Sequence, residues 1–160
     1  MRDAIDNAGG LEPDDALFHT RGFRTEVVDG AEACRRSVLT PEHDLGLNAA
    51  LRLALARRIA ALNGDSPLIA EYDALLAEQQ PDGSLLALAA GESALPEPLA
   101  TLGRHSDLIT LTPDRADADA IRRLEQAGLN NPQIVALSEL IAFVNFQTRV
   151  AAGLRLMRSA

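Results

Sequence analysis

The last quarter of the chain sets the tightest constraint on how it folds. Residues 132–158 read as one helix that is apolar nearly all round, through Ile134, Val135, Leu137, Leu140, Ile141, Phe143, Val144, Phe146, Val150 and Leu154. A helix with no polar face needs cover on most sides. A chain of 160 residues has limited interior for it. Part of this helix is therefore expected to lie against another subunit, which predicts a homo-oligomer.

The remaining punctuation predicts an all-α fold in a single domain, 1–160. Alanine and leucine dominate, and both favour helix. Four dipeptides mark helix starts: Thr40-Pro41, Ser66-Pro67, Thr112-Pro113 and Asn131-Pro132. In each, a short polar side chain can cap free N–H groups while proline occupies an early position that needs no donor. Asn63-Gly64 and Gly128 supply stops. The resulting map has a short helix at 30–38 behind Asp29, a long one at 41–63, and others at 67–79, 97–110, 113–127 and 132–158. A short helical piece is expected at 84–90 inside a loop. Residues 1–28, broken by Gly9-Gly10, Pro13 and Gly22, are expected to be mostly irregular. No run alternates with period two. On 41–63, Leu47, Leu51, Leu55, Ile59 and Leu62 share one face and alanines the other, so this helix is expected to pack on both sides.

Charge and residue usage exclude several roles. Fifteen basic residues, all arginine, stand against 23 acids for a net charge of −8. An acidic chain with few aromatics offers neither a phosphate-binding patch nor stacking platforms, so no nucleic-acid partner is expected. One cysteine forms no intrachain disulfide, which suits a reducing, cytoplasmic setting. The first residues lack the apolar core of a secretory signal, and no stretch of about 18 uncharged apolar residues predicts a membrane span. His19, His43 and His105 are far apart and lack metal-ligand spacing, so neither metal nor cofactor is expected. Cys34 lies beside Arg35 and Arg36, but consecutive helical residues point in different directions, which favours a plain cysteine over a reactive one.

One polar stripe interrupts the final helix. Ser138, Asn145 and Arg149 are seven and four residues apart and fall in a narrow angular band. An arginine buried there needs a carboxylate, carbonyls or an anion. Two arrangements satisfy it: a small anion pocket lined by Asn145 and Arg149, or an ion pair across helices or subunits. Glu139, about a quarter-turn from the stripe, is a solvent contact or the partner of an arginine on the earlier helix, where Arg52 or Arg58 could supply its countercharge.

Residues Gln126–Leu129, Ile134–Phe143 and Asn145–Leu154, with Arg52–Ala56 and Ala60–Gly64 upstream, resemble the carboxymuconolactone decarboxylase and AhpD-like alkylhydroperoxidase superfamily. The closest similarity is to its CMD-domain subgroup, over about residues 40–78 and 105–157. The resemblance implies an all-α bundle assembled as a homo-oligomer. Redox-active members carry Cys-x-x-Cys-x-x-x-His directly after the Asn-Gly position. Here those places fall on Asp65, Leu68 and Tyr72, and residues 45–62 hold no acid for the family's proton relay.

A peroxidatic site needs a low-pKa thiolate and a second thiol to resolve the sulfenic acid. Aspartate and leucine supply neither, so thiol peroxidase activity is not expected. The first functional expectation is a non-peroxidatic domain serving assembly or partner binding. The alternative implied by the resemblance is a thiol-independent enzyme or binder of a small carboxylate. In it Tyr72 is the donor, Arg149 the anion clamp and Asn145 the orienting group. A redox protein acting through Cys34 alone is the remaining possibility.

Overall fold

Four consecutive residues of one helix, Leu53, Ala54, Leu55 and Ala56, are at most 2% exposed. No helix can bury all its sides at one level unless other helices surround it. This helix is α4, Ala49–Leu62, in a computed structural model that describes residues 2–159. Its neighbours are α3 (Thr25–Leu39), α5 (Ser66–Glu78), α6 (Gly83–Ala90), α7 (Leu99–Leu111) and α9 (Asn131–Arg158). Two short helices, α1 (Ala4–Gly9) and α2 (Ala16–Gly22), precede them, and α8 (Ala118–Gln126) links α7 to α9. The described residues contain helices and turns but no strand, so the fold is all-α.

The caps explain where helices begin. Asp65 accepts from the Leu68 N–H at the start of α5, and Asn130 and Gln133 form a reciprocal capping box at the start of α9. In both, proline sits at the second helical position, one place further in than a cap directly before proline would put it. The other two dipeptides start no α-helix. Thr40 ends α3, and residues 40–48 form a loop in which Leu45 and Gly46 take positive φ of 58° and 83°. The cap of α4 is Asn48, which accepts from Leu51. His43 therefore sits exposed in this loop, not in a first helical turn. Pro113–Arg115 is a single 3-10 turn, and Asp117 caps α8 instead.

The N-terminal segment departs most from expectation. It folds as α1, α2 and the first turns of α3. Asp3 and Asp6 build a capping box around α1, and Gly10 closes it at φ 69°. The glycines read as breakers are thus partly terminators of a real helix. Gly9 also lets α1 approach α9: a Cβ there would lie 3.2 Å from Leu154 Cβ. Ile5, Leu11 and Leu154 form a small second apolar cluster at this end.

Helix α9 packs its inner face on α4, its C-terminal part on α1 and one flank on α3. By length and composition it could also cross a membrane, and 61% of its most apolar window is buried inside the bundle.

Three arginines of α4 hold this arrangement through backbone carbonyls. Arg52, 3% exposed, donates to Leu47 O at 2.6 Å, Val38 O at 2.9 Å and Asp44 O at 3.0 Å. Arg57 donates to Ala89 O at 3.1 Å and to Asp73 at 2.9 Å. Arg58 donates to Leu88 O and Glu92 O, both at 3.0 Å, and grips Asp107 with two bonds of 2.7 and 2.6 Å. Gly103 of α7 makes room for this last group, since a Cβ there would come 3.3 Å from Arg58 Cζ. Asp107→Ala leaves the Arg58 charge buried without its carboxylate. Urea denaturation is expected to show a loss of about 3 kcal/mol; a loss under about 0.5 kcal/mol, the scale of an exposed pair, contradicts the assignment.

Candidate functional site

The polar residues that point inward from α9 are the first place to look for chemistry. Asn145 is 7% exposed and fully engaged. Its Nδ2 donates to Thr110 Oγ1 at 3.2 Å and to Ile141 O at 3.0 Å, and its Oδ1 accepts from Asn63 Nδ2 at 3.1 Å. It ties the end of α4 to α7 and α9. Tyr72 is fully buried and approaches α9 from a different side, donating to Gln147 Oε1 at 2.5 Å. Burial pushes its phenol well above the usual range, so the hydroxyl stays protonated. Gln147 Nε2 is buried and has no hydrogen-bond partner among the described residues.

Arg149 is exposed, contrary to the buried arginine expected at this stripe, and Ser138 is exposed too. The band lies at the margin of the buried face, so only its middle member is covered. Tyr72, Asn145 and Arg149 are thus not brought together around one space. The arginines expected to answer Glu139 make their hydrogen bonds elsewhere: Arg58 pairs with Asp107, and Arg52 binds carbonyls. Burial lowers the pKa of Arg52, partly offset by the charges of Asp44 and Glu139.

The positions that the resemblance assigns to sulfur are structural. Asp65 is 3% exposed, caps α5 and pairs with Arg155 Nη2 at 2.7 Å. Arg155 also donates to Ala8 O at 2.7 Å, which joins α1, α5 and α9 at one point. Leu68 is fully buried beneath this cap. Cys34 lies exposed on α3. His105 is buried on α7, where burial and then the Arg123 charge lower its pKa. No group of three metal-ligating side chains occurs among the described residues.

Sequence reasoning missed a charged cavity of about 640 Å³ between α1, α3 and α5. Asp3, Asp29, Glu32 and Glu71 line it with Arg2 and Arg35. Arg35 Nη2 donates to Glu71, and Arg35 Nη1 lies 3.8 Å from Glu32. Burial raises the Glu71 pKa more than Arg35 lowers it. Glu32 and Arg35 lie on the helix expected at 30–38, but the irregular reading of residues 1–28 hid α1 and the first turn of α3, which bring Asp3 and Val28 to the same space.

No protein-family model matches the chain, and no curated protein matches it.

Two outcomes test this description. Tyr72→Phe strips Gln147 of its remaining partner and should cost about 1–3 kcal/mol in urea denaturation; an unchanged midpoint contradicts the buried bond. Glu71 holds its proton more tightly folded than unfolded, so its stability contribution falls as pH rises past 4.5, the ordinary glutamate value. The melting temperature of the wild type should therefore drop relative to Glu71→Gln across that rise. A constant difference between the two proteins rules out the raised pKa.

Proposed function

We propose that this chain is a domain of the carboxymuconolactone decarboxylase and AhpD-like kind that works by self-assembly and partner binding, without thiol peroxidase chemistry. One observation carries the reading. Asp65 and Leu68, at the two positions where redox-active members place cysteines, are buried in structural roles. The Asp65 carboxylate is fully occupied by the Leu68 N–H and the Arg155 guanidinium. Peroxide turnover through a disulfide needs an accessible thiolate to attack the peroxide and a second thiol in reach to resolve the sulfenic acid. Cys34 has no second thiol in the chain to resolve a sulfenic acid. Assembly is supported by the uncovered apolar side chains on α9, Val135 and Phe146 among them.

Purified protein given an organic hydroperoxide and a dithiol reductant should consume no more peroxide than buffer with reductant. Cys34→Ser should behave identically. Catalytic turnover that disappears in Cys34→Ser overturns the reading in favour of single-cysteine chemistry. Sedimentation equilibrium on the same material should give a mass that is a multiple of 17.0 kDa; a monomer at every concentration removes self-assembly from the proposal.

A further inference from the structure

The uncovered side of α9 carries a seven-residue repeat. Val135, Ala142, Arg149 and Leu156 hold one position of it, and Glu139, Phe146 and Gly153 hold the other. All seven are exposed, Val135 by 56% and Phe146 by 44%. Spacings of four and three alternate along the row, which is the seam one helix presents to another wound against it. Glu139 and Arg149 stand in the middle of this row and make no ion pair among the described residues. Two opposite charges placed in an apolar seam call for a partner surface that answers both.

A second copy of the same helix answers both in one register. Consider two α9 helices running antiparallel, with the two-fold axis level with Val144. Glu139 then faces the partner's Arg149, Phe146 faces the partner's Ala142, and Val135 faces the partner's Gly153. Every layer pairs one position of the repeat with the other, as antiparallel helix pairs require, and the symmetry makes each match occur twice. Large residues meet small ones, and acid meets base. A parallel pair stacks Glu139 on its own copy and Arg149 on its own copy. A slide of one repeat sets Glu139 against the partner's Leu156 and loses the charge match. From Val135 to Gly153 the seam runs about 27 Å at ~1.5 Å per residue.

The flank is shaped to suit. A groove of about 500 Å³ runs between α3 and α9, lined by Val27, Ala31 and Cys34 alongside Ala142 and Phe146. In the antiparallel register the partner's Phe146 lies over Ala142, at the edge of this groove, and covers Cys34.

We infer that the chain forms a two-fold dimer through this face of α9, with reciprocal Glu139–Arg149 pairs fixing the antiparallel register. The inference rests on the self-assembly reading and specifies its surface. The test is a charge swap read by sedimentation. Wild type should be dimeric. Glu139→Arg and Arg149→Glu should each weaken the dimer by more than about tenfold, because each sets like charges face to face twice. The double variant Glu139→Arg with Arg149→Glu should recover wild-type affinity to within about threefold. Maleimide labelling of Cys34 supplies a second readout that needs no substitution. Its rate should fall as wild-type protein concentration rises, and should not fall for either single variant. Phe146→Arg replaces any charge variant that loses helical circular dichroism, and it too should be monomeric. A wild-type dimer indifferent to the single swaps, or a double variant no better than the singles, overturns this face and leaves self-assembly standing. A wild type that is monomeric throughout overturns both.

Discussion

The fold depends on a helix that reaches outward with arginines to hold the backbone of its neighbours. Helix ends leave carbonyls without intrahelical partners, and such groups are costly when water is excluded. On α4, Arg52 takes the Val38 carbonyl near the end of α3, Arg57 takes Ala89 at the end of α6, and Arg58 adds a second donor to Leu88, which already accepts from the Gly91 N–H. Positive charge at these C-terminal ends also suits the helix dipole. The guanidinium is suited to this because its donors form a rigid planar fork, whereas an ammonium group is a compact point charge that is harder to desolvate. An all-arginine basic complement is consistent with that use.

The arrangement has an energetic asymmetry. A buried arginine bound mainly to carbonyls gains little net stability over a well-packed apolar side chain. Its removal is another matter, because several backbone oxygens lose their donor together. Arg52 shows the balance: burial disfavours its charge, and three carbonyls orient it. Such contacts specify which loop lies against which helix. That matters here because the core is largely alanine and leucine, whose shapes discriminate poorly between alternative packings.

Much of this was legible in the sequence where one local signal decides the outcome. Helices α5 and α9 begin close to where their prolines place them, and α6 lies within one residue of the short piece expected in its loop. The N-terminal helices were hidden because their glycines serve both to break a pattern and to end a helix, and only packing on α9 distinguishes the two. The loop at 40–48 was hidden for the opposite reason, since Thr40-Pro41 offers cap chemistry that is not used, while Asn48 caps without a proline. At the candidate site, Tyr72 and Asn145 were recognisable as chemistry-bearing, but their partners Gln147, Asn63 and Thr110 come from distant parts of the chain. The exposure of Arg149 was out of reach of periodicity, because a stripe tens of degrees wide can straddle the line between covered and bare.

That line is set by which of the described elements pack on α9. The N-terminal segment is committed to α9's last turns: Arg155 binds Ala8, Arg158 lies 3.3 Å from Asp15, and Arg21 ties Asp3 and Asp6 together beneath them. Helix α3 takes one flank, and α4 takes the inner face. Among the described residues no element covers the row from Val135 to Leu156, so the helix shows a bare strip whose large apolar side chains are unfavourable in water. The strip is also patterned, with its bulky residues, its small ones and its two charges spaced as a mirror about Val144. Solubility alone demands no such ordering, since scattered charges serve it equally well. A helix meeting its own reversed copy does demand it, because each residue must then complement another from the same short row.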